Sequence, residues 1–135
     1  MKHLKTLTVL TIIISIIALT ACTGGASPST VIKKSYDLMK VKDFETLSKL
    51  YVKDDGTKLS DDEYKKIEGL AGMGYKEYEK KGGIKTVIID EEKIAEDGKS
   101  ARVKFTINYG NDKTNRENAK LIKVDGKWLI IFAMN

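Results

Sequence analysis

The sequence predicts an α+β domain, with its helices first and its strands after. Three observations carry that expectation. Apolar residues recur at helical spacing between residues 31 and 78. The period then changes to two at Ala101–Tyr109, where apolar and polar residues alternate without a fault. Turn signals fall at Asp97-Gly98, Gly110-Asn111-Asp112 and Asp125-Gly126, between the stretches that read as strands.

The first helix opens at Ser27, a good N-cap, followed by Pro28 at the first helical position. Val31, Ile32, Ser35, Tyr36, Leu38 and Met39 form its inner stripe, leaving Lys33, Lys34 and Lys40 outside. Asp43 caps a second helix whose stripe is Phe44, Leu47, Leu50 and Tyr51, and residues 53–57 read as a loop. Ser60 and Glu63 have capping-box spacing, with extra acid where the helix dipole favours it. The third helix runs from there towards Lys81, with Tyr64, Ile67, Ala71 and Tyr78 on one side. Gly69, Gly72 and Gly74 each weaken it by about 1 kcal/mol relative to alanine, which points to a kink or a close backbone contact. Gly82-Gly83 ends the helical part.

Four strands are expected at about 84–95, 100–109, 115–124 and 127–134, joined as an antiparallel meander. Residues 128–134 are apolar on both faces, so that strand is central or has its second face covered. The alternation slips at Leu121-Ile122, which predicts a bulge. The three helices are expected on one face of this curved four-stranded sheet.

Residues 1–27 follow different rules. Met1–Lys5 carries two lysines, and 6–21 is uncharged and mostly aliphatic, the layout of a secretory signal peptide. A membrane span needs about 20 apolar residues, and this run is shorter and broken by Thr8, Thr11 and Ser15. Leu19-Thr20-Ala21-Cys22 resembles the bacterial lipoprotein box. The resemblance implies cleavage after Ala21 and a diacylglyceryl group on the Cys22 thiol, the only cysteine in the chain. Two acyl chains anchor a protein far more firmly than one. The expected organisation is therefore a signal peptide at 1–21, a lipid-anchored flexible tether at 22–27 and a domain at 28–135. The expected location is the extracytoplasmic side of a cell membrane or outer membrane.

Loss of Lys2 and Lys5 with the signal takes the formal charge from +5 to +3, and His3, the sole histidine, leaves with them. A mature chain without histidine or free thiol lacks the commonest general base, metal ligand and nucleophile. Serine–histidine triads, His/Cys zinc sites and thiol chemistry are excluded, and no catalytic residue, metal site or cofactor is assigned. The acids cluster at Asp54/Asp55, Asp61/Asp62/Glu63 and Asp90/Glu91/Glu92, in a loop, a helix start and a strand end. These are solvated positions, ill suited to raising a carboxylate pKa. Lysines alternate with acids along the helices instead of forming a one-sided stripe, which argues against nucleic acid as a partner.

"SPSTVIKKSYDLMKVKDFETLSKLY", "KKGGIKTVIIDEEKIAEDGKSARVKFTINYG" and "AKLIKVDGKWLI" together resemble a family of small bacterial lipoproteins of unknown function. The resemblance covers nearly all of 27–132. It implies a cystatin-like cone, the architecture shared by nuclear transport factor two and ketosteroid isomerase, and it brings no catalytic residues. The function expected first is a non-catalytic binding module for a small ligand or envelope component. Its candidate pocket lining is Tyr36, Tyr51, Tyr64, Tyr78, Tyr109 and Trp128, each of which could instead complete the core. The alternative is a protein partner, or a second copy in a homodimer, on the outer sheet face. An Asp/Tyr-dependent enzyme ranks third.

Overall fold

A computed structural model describes residues 25–133. The signal segment and Cys22 lie outside the described residues. Three helices and five strands run in the order α1 (Pro28–Lys40), α2 (Phe44–Ser48), β1 (Tyr51–Val52), α3 (Asp61–Lys80), β2 (Ile84–Ile94), β3 (Ser100–Tyr109), β4 (Thr114–Val124) and β5 (Lys127–Ile131). Among the described residues no helix is long and apolar enough to cross a membrane.

The caps are those the sequence marks. The Ser27 hydroxyl accepts from the Thr30 amide at the start of α1. Asp43 accepts from the Thr46 amide. The Ser60 and Glu63 side chains exchange bonds with each other's backbone amides at 3.3 and 2.7 Å. α3 runs unbroken through its three glycines. Neither a kink nor a close backbone contact appears: a methyl group on Gly72 would sit at ordinary contact distance, 3.7 Å, from Phe44 Cε2, and one on Gly69 would meet nothing within 4 Å.

The sheet order is β1-β5-β4-β3-β2. β2 to β5 form the expected antiparallel meander, but the sheet has a fifth strand and is mixed. Tyr51 and Val52 pair in parallel with Ile130 and Ile131. The second helix accordingly stops at Ser48 and Tyr51 belongs to the sheet, because the Ile130 and Phe132 amides donate to the Leu50 and Val52 carbonyls at 2.8 and 2.9 Å. The bulge expected at Leu121-Ile122 is absent: β4 keeps register with both neighbours there. Leu121 points into the core and Ile122 outward, beneath the loop after β1. A methyl group on Gly56 of that loop would lie 3.3 Å from Val124 Cγ2 and 3.6 Å from Ile122 Cδ1. The register shifts fall in β2, at Ile84/Thr86 and Ile89/Glu91. β5 lies between β4 and β1, with a partner strand on each side.

The core has two parts. Val103, Phe105, Ile107, Leu121, Trp128 and Ile130 of the sheet bury with Val31 and Ile32 of α1. Leu47, Leu59, Tyr64, Ile67 and Ala71 form a second, helical cluster. Only α1 lies directly across the sheet, on β2, β3 and β5, while α2 and α3 pack mainly on each other and on α1. Glu92 fixes the start of α1 by accepting from the Ser29 amide and hydroxyl at 2.9 and 2.8 Å, a carboxylate at the positive end of a helix.

Candidate functional site

Side chains on one strand alternate between faces, and directly paired residues share a face. Phe105 and Ile107 are buried beneath the helices, so their β4 partners Glu117 and Asn115 also stand on the inner face. Here the core gives out. The helices bring Tyr36 from α1 and Tyr78 from α3 to this place, and β3 ends there with Tyr109.

The rings interlock. Tyr36 meets Phe105 edge-on with centroids 5.5 Å apart, and lies 6.4 Å from Tyr78. Tyr78 stacks on Tyr109 at 5.7 Å, and Lys81 Nζ sits 4.7 Å from the centroid of the Tyr109 ring. Tyr51 meets Phe132 edge-on at 6.3 Å. Two cavities flank Tyr36 and share Ser35, Tyr36 and Tyr51 in their walls. One, of about 270 Å³, continues along Met39, Ile67 and Leu70 on the helical side. The other, of about 450 Å³, continues along Phe105 and Glu117 on the sheet side.

Burial dominates the electrostatics. It pushes the Tyr36 hydroxyl well above the ordinary tyrosine range, helped by Tyr78, Tyr51 and the Glu117 charge. It pushes Tyr51 up to about 12 and raises Tyr78, with smaller contributions from neighbouring tyrosines. Tyr109 is 1% exposed and is raised by burial first, with Asn115 acting in the opposite sense and Glu117 in the same one. Asn115 nevertheless does not reach hydrogen-bond geometry with the Tyr109 hydroxyl, which has no partner among the described residues. Asn115 donates instead to Glu117. All four tyrosines therefore keep their protons at physiological pH. Glu117 is exposed and supplies the charge at the edge of the group.

Four of the six aromatic residues singled out in the sequence come together here: Tyr36, Tyr51, Tyr78 and Tyr109. The other two do not line this place. Tyr64 belongs to the helical cluster, with Lys49 Nζ 3.9 Å from its ring centroid. Trp128 is in the sheet core, under Lys123. Sequence reading missed Glu117, Asn115 and Ser35. The third strand's "TNRENAK" reads as plain polar surface, and only its pairing with β3 shows which of its residues face inward. The cluster at 90–92 divides three ways: Asp90 accepts from the Thr106 hydroxyl at 2.6 Å, Glu91 pairs with Lys104 at 3.3 Å, and Glu92 holds α1. Among the described residues no three His, Cys, Asp or Glu side chains gather closely enough to hold a metal.

No family model matches the sequence, and no curated protein matches it. Solved structures do. A Campylobacter jejuni protein provisionally described as an NTF2-like transpeptidase superposes with a TM-score of 0.67 at 22% identity, over 80% of this chain and all of the other. A SEC-C motif-containing protein from Rhodopseudomonas palustris superposes at 0.58 and 13% identity, over 81% of this chain and 78% of the other. The chain has an NTF2-like α+β fold. At these identities the likeness extends to the fold alone.

Proposed function

We propose that this protein is a non-catalytic binding module, tethered through lipid on Cys22 to the extracytoplasmic side of a bacterial membrane, that holds a small ligand between α1, α3 and the inner sheet face. One observation carries the reading: Tyr36 and Tyr51 stand in the walls of two adjacent cavities, with Tyr78 on the helical side and the Glu117 carboxylate on the sheet side. Mostly apolar walls with a few convergent polar groups are what small-molecule sites require, and the helical-side cavity has them.

Catalysis is the weaker reading. Acyl transfer, the chemistry named for the Campylobacter jejuni protein, needs an activated nucleophile. Ser35, the hydroxyl shared by both cavity walls, donates to the Ile32 carbonyl at 2.7 Å, and residues 25–133 contain no histidine to activate it. Glu117 is exposed, whereas a carboxylic acid kept protonated for proton transfer sits in a dry pocket.

Protein recovered from membranes, analysed by native mass spectrometry, should carry a small molecule, and Tyr36→Phe/Tyr78→Phe should lower its occupancy severalfold without unfolding the domain. Unchanged occupancy in that variant would overturn the site. Separately, intact mass should show cleavage before Cys22 and an acyl adduct, both abolished in Cys22→Ser; a bare Cys22 would overturn the anchor.

A further inference from the structure

The outer face of the sheet carries a second, different arrangement. Arg102 alternates with buried Ala101 and Val103, so it points outward, and so do its direct partners Lys93 on β2 and Lys120 on β4. Three cations therefore stand in one row across three adjacent strands, all exposed. Like charges directly opposite each other destabilise a sheet. The usual remedy is a carboxylate within the row. Lys104 in the next row has one, Glu91 at 3.3 Å. Lys93, Arg102 and Lys120 form no ion pair among the described residues. They rim a groove of about 500 Å³ whose walls are otherwise mostly apolar, with Ile94, Leu121 and Ile131 among them, and Glu96 is the one acid on its wall.

The groove also has a position relative to the chain's start. Its wall includes Ala95 and Glu96 of the β2–β3 hairpin. That hairpin joins the β4–β5 turn, where the Lys123 amide donates to the Lys99 carbonyl at 2.8 Å. Gly25 abuts the same turn, since a methyl group on it would lie 3.7 Å from the Gly126 carbonyl oxygen. From Gly25 to Cys22 is three residues, which span about 10 Å at most.

We propose that the Lys93–Arg102–Lys120 row is a phosphate-binding site that docks this end of the domain on the headgroups of anionic phospholipids. The proposal rests on the tethered reading for the direction from which the bilayer approaches. A short tether leaving beside the groove holds it against the headgroups, and their phosphates supply the counter-charge that the row lacks. Each cation near an anionic surface strengthens binding by about fivefold.

The test is flotation of the mature chain, residues 22–135, made without its acyl chains, with vesicles of phosphatidylcholine alone or with about 30 mol% phosphatidylglycerol. The anionic vesicles should capture at least about tenfold more protein at low salt, and the advantage should vanish near 0.5 M NaCl. It should fall below about twofold in Lys93→Gln/Arg102→Gln/Lys120→Gln and persist in the charge-matched Lys58→Gln/Lys65→Gln/Lys76→Gln. The triple row variant should melt no lower than the parent, because like-charge repulsion is relieved; Arg102→Gln alone repeats the test if it does not. A row variant that keeps the anionic preference, or a control that loses it equally, overturns the proposal. So does a melting shift by inorganic pyrophosphate that needs the row while vesicles are not discriminated, which would assign the groove to a soluble phosphate compound. Because this chain carries no acyl group, its vesicle preference reports the groove alone, whereas the intact mass of the natural protein reports the anchor.

Discussion

Gly110 and Gly82 are in backbone contact: a methyl group on Gly110 would lie 2.2 Å from the Gly82 carbonyl oxygen. The Gly110 amide donates to the Gly83 carbonyl and the Asn111 amide to the Lys81 carbonyl, both at 2.9 Å. The end of α3 is thereby fastened to the β3–β4 turn, beside Tyr78 and Tyr109. Gly110→Ala should cost about 2–4 kcal/mol, because only backbone can move out of the way. Gly83→Ala meets nothing within 4 Å and should cost about 1 kcal/mol for its φ of +80° alone. Urea denaturation of both variants checks the order; equal losses would show that the contact is not tight.

Tyr109→Phe should leave stability unchanged or raise it by about 1 kcal/mol. The substitution removes a buried hydroxyl that has no partner and keeps the ring against Tyr78. A loss of more than about 1 kcal/mol in the same denaturation experiment would mean that the hydroxyl is satisfied in solution.

The buried tyrosines fix the alkaline limit of the fold. Tyr36 and Tyr51 hold their protons more tightly in the folded chain than in the unfolded one, Tyr51 up to about 12. Their contribution is complete below the unfolded value near 10 and is lost as pH rises from there through about 12. Phenolate absorbance should therefore rise in two stages, the later one together with loss of circular dichroism. A single stage near pH 10 with the fold intact would contradict the burial.

Ser60→Ala should cost about 1 kcal/mol, because one side of the capping box goes and α3 carries three of the five buried residues of the helical cluster. The partner acid titrates with it. Glu63 is held below the ordinary glutamate range, chiefly by the Ser60 backbone amide, so its share is present at neutral pH and disappears as pH falls through that lowered range. A chemical-denaturation series between pH 7 and acid should show the parent losing this increment and Ser60→Ala losing less of it.

The helix starts and hairpin turns were legible because each rests on local chemistry. Asp125 and Gly126 both take positive φ, as the tight turn between β4 and β5 demands. Tyr51 was not legible as a strand. Its spacing from Phe44 and Leu47 fits a helix, and what moves it into the sheet is pairing with Ile130, far along the chain. The slip at Leu121-Ile122 has a similar cause: an outward apolar residue can mean a bulge or a cover, and only the fold shows the loop at Gly56. Aromatic residues announced four members of the candidate site. Glu117 stayed hidden because its inward direction follows from register with Phe105 and not from its neighbours in sequence.

The two-residue strand β1 also governs when the molecule can form. β5, the last strand in chain order, inserts between β4 and a segment laid down before α3, so Tyr51 waits for Ile130. Until residues 127–132 have been synthesised, Leu121 lacks its neighbour and the second cluster lacks the Phe132 flank. Closing so long a loop is entropically slow compared with forming the helices. The fold is thus completed only when β5 docks, with the helices as a waiting platform for that strand.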